Sequence, residues 1–435
     1  MASSLRIYNL FPRLFGHISG WHAHIDRIKA MGFTTIYLNP LSYPGFSGSL
    51  YAIKDYYAYN PQFFTSMDRA VAEKELRTFI AACGKAGISV MMDLVINHTS
   101  SDSMLAKEHP DWYKHDEKTG GLVSPGAWDN GNWVSWGDLI EIDNEKSTDR
   151  KALWAYWKSL VDYNLKLGFT GFRCDAAYQV PSELWEHLIS AAKKKESSTV
   201  FFAETLGCPV EDIVKLAAAG FDAVTSSARW WNFRDDWCLS QYDAVREHTE
   251  AVSFPENHDT LRVITEYGGN FNRVRLYALF TALLTEGWMI TSGYEWGFRN
   301  RCDVVHGMPE DREPIHYDIS DLIRRINKLK DDHAVFNTAG DIEVLVSPDA
   351  EGSNDDDSAE SSEDAGGAGT VFAFTKHAPD GSGALVLMNT SDSDAAVVTA
   401  AELPKRKKEL SLSGSVRDDD GSITVPPGDA RIFLI

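Results

Sequence analysis

With 435 residues, 43% of them hydrophobic, the chain is long enough to bury one large core and a smaller appended one, so it needs no covalent staples to fold. Its five cysteines (Cys83, Cys174, Cys208, Cys238 and Cys302) are an odd set without CxxC spacing, which argues against a disulfide framework or a zinc site and fits the reduced thiols of a cytoplasmic protein. A formal charge of -21 disfavours nucleic acid and anionic membranes as partners, because both require clustered Lys and Arg; it suits a neutral substrate and is also compatible with a salt-rich habitat.

The N-terminal MASSLRIYNLF has neither the basic start nor the long apolar run of a secretion signal, and no apolar stretch approaches the roughly 20 residues of a membrane span. From Leu5 onward, short β-branched or apolar runs alternate with amphipathic ones. The strand-like pieces in order are LRIYNLF, TTIYLNP, ISVMMDLVI, FTGFRCD, TVFFAET, FDAVTSS, AVSFPENHD and WMITSGYE. Helix-like stretches such as AVAEKELRTFIAACGKAG, apolar at three- and four-residue spacing, separate most of them. Eight strands alternating with helices predict an α/β fold, a (β/α)8 TIM barrel built from residues 1–96 and 145–332.

The rhythm breaks after the third strand. Residues 97–144 are dense in Gly, Asp and Trp and read as an insertion; of Trp112, Trp128, Trp133 and Trp136, most are expected to form its own small core, with sugar stacking as the alternative. Past residue 332 the helices stop. DIEVLVS, TVFAFTKH, ALVLMNTS, AVVTA, LSLSG, SITVPP and ARIFLI predict a C-terminal antiparallel β-sandwich over 333–435. Between its first two strands, residues 348–369 lack large apolar side chains and read as a mobile acidic loop.

Barrel enzymes carry their reactive groups at the C-terminal ends of strands. Here those ends read DLVINH, GFRCD, AET and PENHD, with YAIKDYY after the second strand. Retaining cleavage of a glycosidic bond needs a nucleophilic carboxylate about 5–5.5 Å from a protonated carboxyl, and adjacent strands about 4.8 Å apart supply such a pair. Asp175 ends the fourth strand and Glu204 the fifth. Arg173, two residues before Asp175, points to the same side and is expected to keep it ionised and aimed, while a neighbouring carboxylate and partial burial keep Glu204 protonated. Asp259 completes the set against developing positive charge, His98 and His258 are expected to donate to the same sugar, and Tyr51 offers an aromatic platform. Singly, a strand-end Asp is as often a helix cap and a buried His a satisfied core residue; five such ends in barrel order make coincidence implausible.

At these motifs the chain resembles the α-amylase family, glycoside hydrolase family 13, over nearly its full length. DLVINH, GFRCD, AET and ENHD occur in the family's order, and Tyr51 and Asp55 match its YxxxD pattern. The resemblance implies Asp175 as nucleophile, Glu204 as acid/base and Asp259 as transition-state stabiliser, with Asp93, His98, Arg173 and His258 around the cleaved glucose of an α-1,4-glucan or malto-oligosaccharide. Typical members follow the nucleophile with Lys and His at three and four residues. This chain has Tyr178 and Gln179 there, so Tyr178 joins the expected substrate-binding residues and the acceptor side differs. That His usually shares a calcium ion with the Asn of the first motif, here Asn97; without it no metal and no cofactor is expected, although an Asp of the insertion remains a conceivable ligand.

NLFPRLFG, KEHPDWY and SGYEWG are similar to bacterial maltosyltransferases that use maltose 1-phosphate, but this chain starts at the first barrel strand and replaces their post-nucleophile segment with AAYQV. The leading expectation is a retaining glycoside hydrolase with some transglycosylation; maltosyl transfer from maltose 1-phosphate is the alternative, and a non-catalytic sugar-binding barrel is third.

Overall fold

Each of the eight strand-like pieces becomes a strand of one closed parallel barrel in the computed structural model, which describes residues 4–129, 132–349, 368–412, 418 and 421–435. The strands are β1 (Arg6–Asn9), β2 (Thr35–Leu38), β3 (Ser89–Leu94), β4 (Gly171–Cys174), β5 (Val200–Ala203), β6 (Ala223–Thr225), β7 (Glu250–Ser253) and β8 (Gly287–Thr291). They pair in sequential order, β8 closing on β1 with Arg6 opposite Trp288. Strand alternation sorts the side chains. Ile7, Tyr37, Met91, Phe202, Val252 and Met289 fill the interior, while neighbours such as Tyr8, Ile36, Phe172 and Phe201 join the larger core between strands and helices. The helix Arg69–Lys85 after β2 starts where the Asp68 side chain accepts from the amides of Ala70 and Val71. Among the described residues no helix is long and apolar enough to cross a membrane, and all five cysteines are free and buried.

The inserted segment is anchored by His98–Ser100 pairing antiparallel with Leu139–Glu141, and a second hairpin joins Gly126–Asp129 to Asn132–Ser135. Its tryptophans do not mainly form a core. Trp112 is buried, but Trp133 is exposed and Trp136 lines the cavity described below; the Trp128 side chain lies outside the described residues.

Beyond the barrel, β9 (Asp341–Val346), β10 (Val371–His377), β11 (Gly383–Asn389), β12 (Ala396–Thr399), β13 (Lys408–Glu409), β14 (Ser422–Val425) and β15 (Ala430–Leu434) form an antiparallel five-stranded sheet, β9-β10-β11-β15-β13, and a two-stranded one, β12-β14. The alternation along β10 explains its placement. Val371 and Ala373 face the two-stranded sheet, whereas Phe372 and Phe374 face the barrel, Phe372 meeting Trp231 and Phe233. Of the expected strand LSLSG, Leu410–Leu412 are not in a strand and residues 413–414 lie outside the described set; the pairing residues are Lys408 and Glu409, just before it, opposite Leu434 and Phe433 at the sheet edge. Residues 350–367, most of the expected acidic loop, lie outside the described set.

The end of the barrel opposite the strand C-termini holds a buried charge cluster. Glu250 Oε1 accepts from the Leu5 amide at 2.6 Å, and a side chain at Gly287 would collide with that oxygen, its Cβ falling 2.4 Å away. Burial, reinforced by Glu286, pushes the Glu250 carboxyl up to about 8. A folded-state pKa above the unfolded value means stability that is complete below about 4.5 and is lost as pH rises through about 8. Glu250→Gln keeps the acceptor oxygen and removes the titration. It is therefore expected to leave stability near wild type at pH 5 and to raise it by about 1–3 kcal/mol at pH 8.5, measured by urea unfolding; an equal effect at both pH values would contradict this account.

Candidate active site

At the C-terminal ends of the strands a cavity of about 460 Å³ opens, within the range of small-molecule sites. Asp175, Glu204 and Asp259 line it together, with Tyr51, His98, Arg173, Tyr178 and His258. The barrel's hydrogen-bond ladder sets the first two. Asp175 donates its amide to Leu94 O at 3.1 Å and Glu204 donates its amide to Cys174 O at 3.0 Å, so each sits one step past its strand on adjacent staves.

Register then fixes the charge pairing. Arg173 lies opposite Asp93, and Nη1 of Arg173 donates to Asp93 Oδ1 at 2.9 Å and to Asp175 Oδ1 at 2.7 Å. One guanidinium thus orients both carboxylates at side-chain exposures of 0% for Asp93 and 13% for Asp175. Oδ2 of Asp175 accepts no hydrogen bond from the described residues; its near neighbour is His98 Nε2 at 3.9 Å.

Glu204 is held differently. Its Oε1 accepts from the Leu206 amide at 2.8 Å and its Oε2 from the Ala176 amide at 3.0 Å. Ala176 reaches that position in a left-handed conformation, φ 42°, which a residue with a Cβ adopts at a cost of about 1 kcal/mol or more. The strain is spent where it turns a backbone donor toward the acid. Burial raises the Glu204 carboxyl to about 7, opposed by Arg173 and assisted by the Asp175 and Asp259 carboxylates. Asp259 stands at the rim, its side chain 53% exposed and its Oδ2 3.3 Å from His258 Nε2.

The histidines divide their work. Tyr51 Oη lies 2.7 Å from Asp93 Oδ2 and 2.7 Å from His258 Nε2, and it accepts from Asn39 Nδ2 at 2.9 Å. A carboxylate only accepts, so the single phenolic proton goes to Asp93 and His258 Nε2 donates to Tyr51. Burial lowers the pKa of both His258 and His98, which keeps both rings neutral near pH 7. Nδ1 of His258 is therefore left as an acceptor, not the donor expected for a sugar hydroxyl, while Nε2 of His98 is buried without a partner among the described residues. The Tyr51 and His258 rings are nearly parallel, 7° apart with centroids at 5.3 Å.

Sequence reasoning missed the support behind these groups. Tyr37 also donates to Asp93 Oδ2, and Asn9 Nδ2 donates to Asn39 Oδ1 at 2.8 Å, so β1 and β2 brace Tyr51 and Asp93 from behind. Asp55 contributes no wall of the cavity; its Oδ1 accepts from the Tyr57 amide at 2.8 Å. Trp230, Leu206 and Ser49, none of them expected, also line the cavity.

Asn97, where the resemblance implies a calcium ligand, is engaged in an amide bridge. Asn97 Nδ2 donates to Gln179 Oε1 at 2.8 Å, and Gln179 Nε2 donates to Gly126 O at 3.2 Å. This neutral amide bridge already ties the insertion to the loop after β4. No group of three or more His, Cys, Asp or Glu suited to a metal occurs among the described residues.

Residues 1–119 match the family model described as glycogen debranching enzyme, glucanotransferase domain. The chain is 25% identical over 356 residues to an alpha-1,4-glucan:maltose-1-phosphate maltosyltransferase of Burkholderia pseudomallei, covering 79% of this chain and 30% of that protein. It is 26% identical over 341 residues to the alpha-amylase MalA of Haloarcula japonica, covering 73% and 47%. The chain thus spans less than two thirds of the length of these relatives. Among solved structures, an alpha-amylase from Lactobacillus plantarum superposes with a TM-score of 0.75 at 23% identity, covering 99% of this chain and 98% of the other. An acarbose complex of an alpha-amylase from Geobacillus thermoleovorans superposes with a TM-score of 0.74 at 18% identity and the same coverage. These two show that the fold is shared.

Proposed function

We propose that this chain, a barrel of the α-amylase family, cleaves α-1,4-glucosidic bonds of malto-oligosaccharides by double displacement, passing the glycosyl group to water or to a sugar hydroxyl. The observation that carries this reading is the asymmetry of the two strand-end carboxyls: Asp175 is paired with a guanidinium and has one free oxygen, while Glu204 is raised to about 7 and can hold a proton. In the first step Asp175 Oδ2 forms a bond to the anomeric carbon as the glycosidic C–O bond breaks, and the Glu204 proton moves to the leaving oxygen. In the second, Glu204 takes a proton from the acceptor hydroxyl as that oxygen attacks the same carbon and Asp175 leaves. Asp259 faces the positive charge developing on the ring. The barrel segments carry the chemistry, the insertion walls the cavity, and the C-terminal sheets brace the helices beneath.

Maltosyl transfer from maltose 1-phosphate, the activity in the Burkholderia relative's name, finds less support. Arg173 is the single Lys or Arg in the described cavity lining, and both Asp93 and Asp175 engage it. Digestion of maltoheptaose followed by NMR tests the main reading. The first sugar released is expected to be the α anomer, and the rate is expected to fall as pH rises through about 7, where Glu204 loses its proton. Early β anomer would exclude retention. Phosphate release from maltose 1-phosphate in the presence of glycogen, at a rate above that of maltoheptaose cleavage, would favour the transferase.

A further inference from the structure

We propose that Gln179 is a positioning residue for the reaction: through the side-chain amide of Asn97 it fixes which nitrogen of His98 carries the proton, and so aims that N–H at the sugar beside the nucleophile. This inference rests on the double-displacement reading and adds two residues, Gln179 and Asn97, that stand behind the cavity wall.

The relay begins at a group that can only accept. Gln179 Nε2 donates at 3.2 Å to Gly126 O, in the hairpin of the insertion. A backbone carbonyl has no proton to give, so the nitrogen of the Gln179 amide must face the insertion and its Oε1 must face the other way. There Oε1 meets Asn97 at 2.8 Å, and an amide oxygen likewise only accepts, so Asn97 presents Nδ2. The same Nδ2 stands 3.5 Å from Nδ1 of His98, at the outer edge of hydrogen-bond distance. A proton on Nδ1 would set one N–H against another. Nδ1 therefore accepts, which leaves the single proton of the neutral ring on Nε2.

Two further observations fit a proton in that place. Nε2 of His98 is buried with no hydrogen-bond partner among the described residues, yet its ring lines the cavity and Nε2 lies 3.9 Å from Asp175 Oδ2. A buried N–H without a partner is costly, and a sugar hydroxyl entering the cavity relieves that cost. The relay is also held at each joint. Asn97 and His98 are 1% and 3% exposed, and Asn97 O accepts from the Ile142 amide at 3.0 Å. The Gln179 amide donates to Ala176 O at 2.9 Å, inside the turn that also offers the Ala176 amide to Glu204. A carbonyl of the insertion, the turn after β4 and the end of β3 thus act together on one imidazole.

NMR of the chain carrying ¹⁵N-labelled histidine reads the tautomer directly, with His98→Gln identifying the His98 signals. The wild-type ring is expected in the Nε2–H form. Gln179→Met removes the acceptor that orients Asn97 and lets Asn97 Oδ1 turn to His98; the ring is expected to shift mainly to the Nδ1–H form, and kcat/KM on maltoheptaose to fall about tenfold, the worth of about one hydrogen bond. Gln179→Glu loses the tie to Gly126 but still accepts from Asn97, so it is expected to keep the Nε2–H form. In the His98→Gln background, Gln179→Met is expected to cost less than about twofold more, because its effect passes through the ring. Should Gln179→Met not accumulate as folded protein, Asn97→Asp serves instead, since its carboxylate only accepts and forces the Nδ1–H form. A wild-type ring in the Nδ1–H form would overturn the proposal, as would a Gln179→Met or Asn97→Asp ring that stays in the Nε2–H form, or an equal kinetic loss with and without His98. Tautomers as expected in a wild-type chain that cleaves no malto-oligosaccharide would remove the glycosidase reading and leave the relay standing.

Discussion

Asp175→Ala is expected to lower kcat on maltoheptaose by about 10⁴-fold while leaving the chain folded, and added azide is expected to restore turnover with β-maltosyl azide or its longer homologues as product. The fold should survive because Arg173 keeps Asp93 as a buried partner at 2.9 Å, so the guanidinium is not stranded. Removing the carboxylate leaves a space beside His98 on the face from which the nucleophile attacks, and a small anion entering it attacks from the same side. The anomer of the azide product is the decisive readout. A structural role for Asp175 predicts loss without rescue, and a role as the acid/base of the second displacement predicts an α-configured adduct. Activity within tenfold of wild type would remove Asp175 from the mechanism.

The parts of this site that could be read from the chain are those tied to strand ends. Buried parallel strands appear as β-branched runs, and a polar residue closing such a run is conspicuous, which is why Asp175, Glu204 and Asp259 emerged together and why the structure gathers them into one cavity. Asn9, Tyr37 and Asn39 gave no such signal. They sit in LRIYNLF and TTIYLNP as ordinary strand residues and acquire a role only when barrel closure sets β1 and β2 beside β3. Similarly, the bond between Asn97 and Gln179 spans 82 positions, and nothing local to either residue announces it. Trp230 was passed over because its strand ends without a carboxylate. The direction of the His258 hydrogen bonds depends on a phenol from another loop, so a sequence can supply the ring but not its tautomer. LSLSG alternates like a strand, but the edge of the sheet pairs two residues earlier, and pairing partners override local pattern.

The second large effect is expected at Arg173, whose substitution by Ala should destabilise the fold by about 3–5 kcal/mol and abolish most activity. The side chain is 5% exposed and lies between carboxylates at 2.9 and 2.7 Å; removing it leaves two buried acids adjacent with no cation between them. Burial already pushes the Asp93 carboxyl upward, and Arg173 is the strongest opposing influence. Its loss raises that group further. The sign follows: an acid whose folded pKa exceeds its unfolded one contributes stability at low pH that disappears as pH rises, so the deficit of Arg173→Ala should be smallest near pH 5 and largest near pH 8. Asp93→Asn relieves one of the two charges, and the double variant should therefore be more stable than the sum of the single losses predicts, by roughly 1–3 kcal/mol in a double-mutant cycle. Urea unfolding at the two pH values measures all of this. Should Arg173→Ala not accumulate as folded protein, Arg173→Lys serves instead, since it retains the charge but cannot span both carboxylates with one planar group. Additive losses, or a deficit independent of pH, would mean that Arg173 acts through packing alone and that the aim of Asp175 has another source.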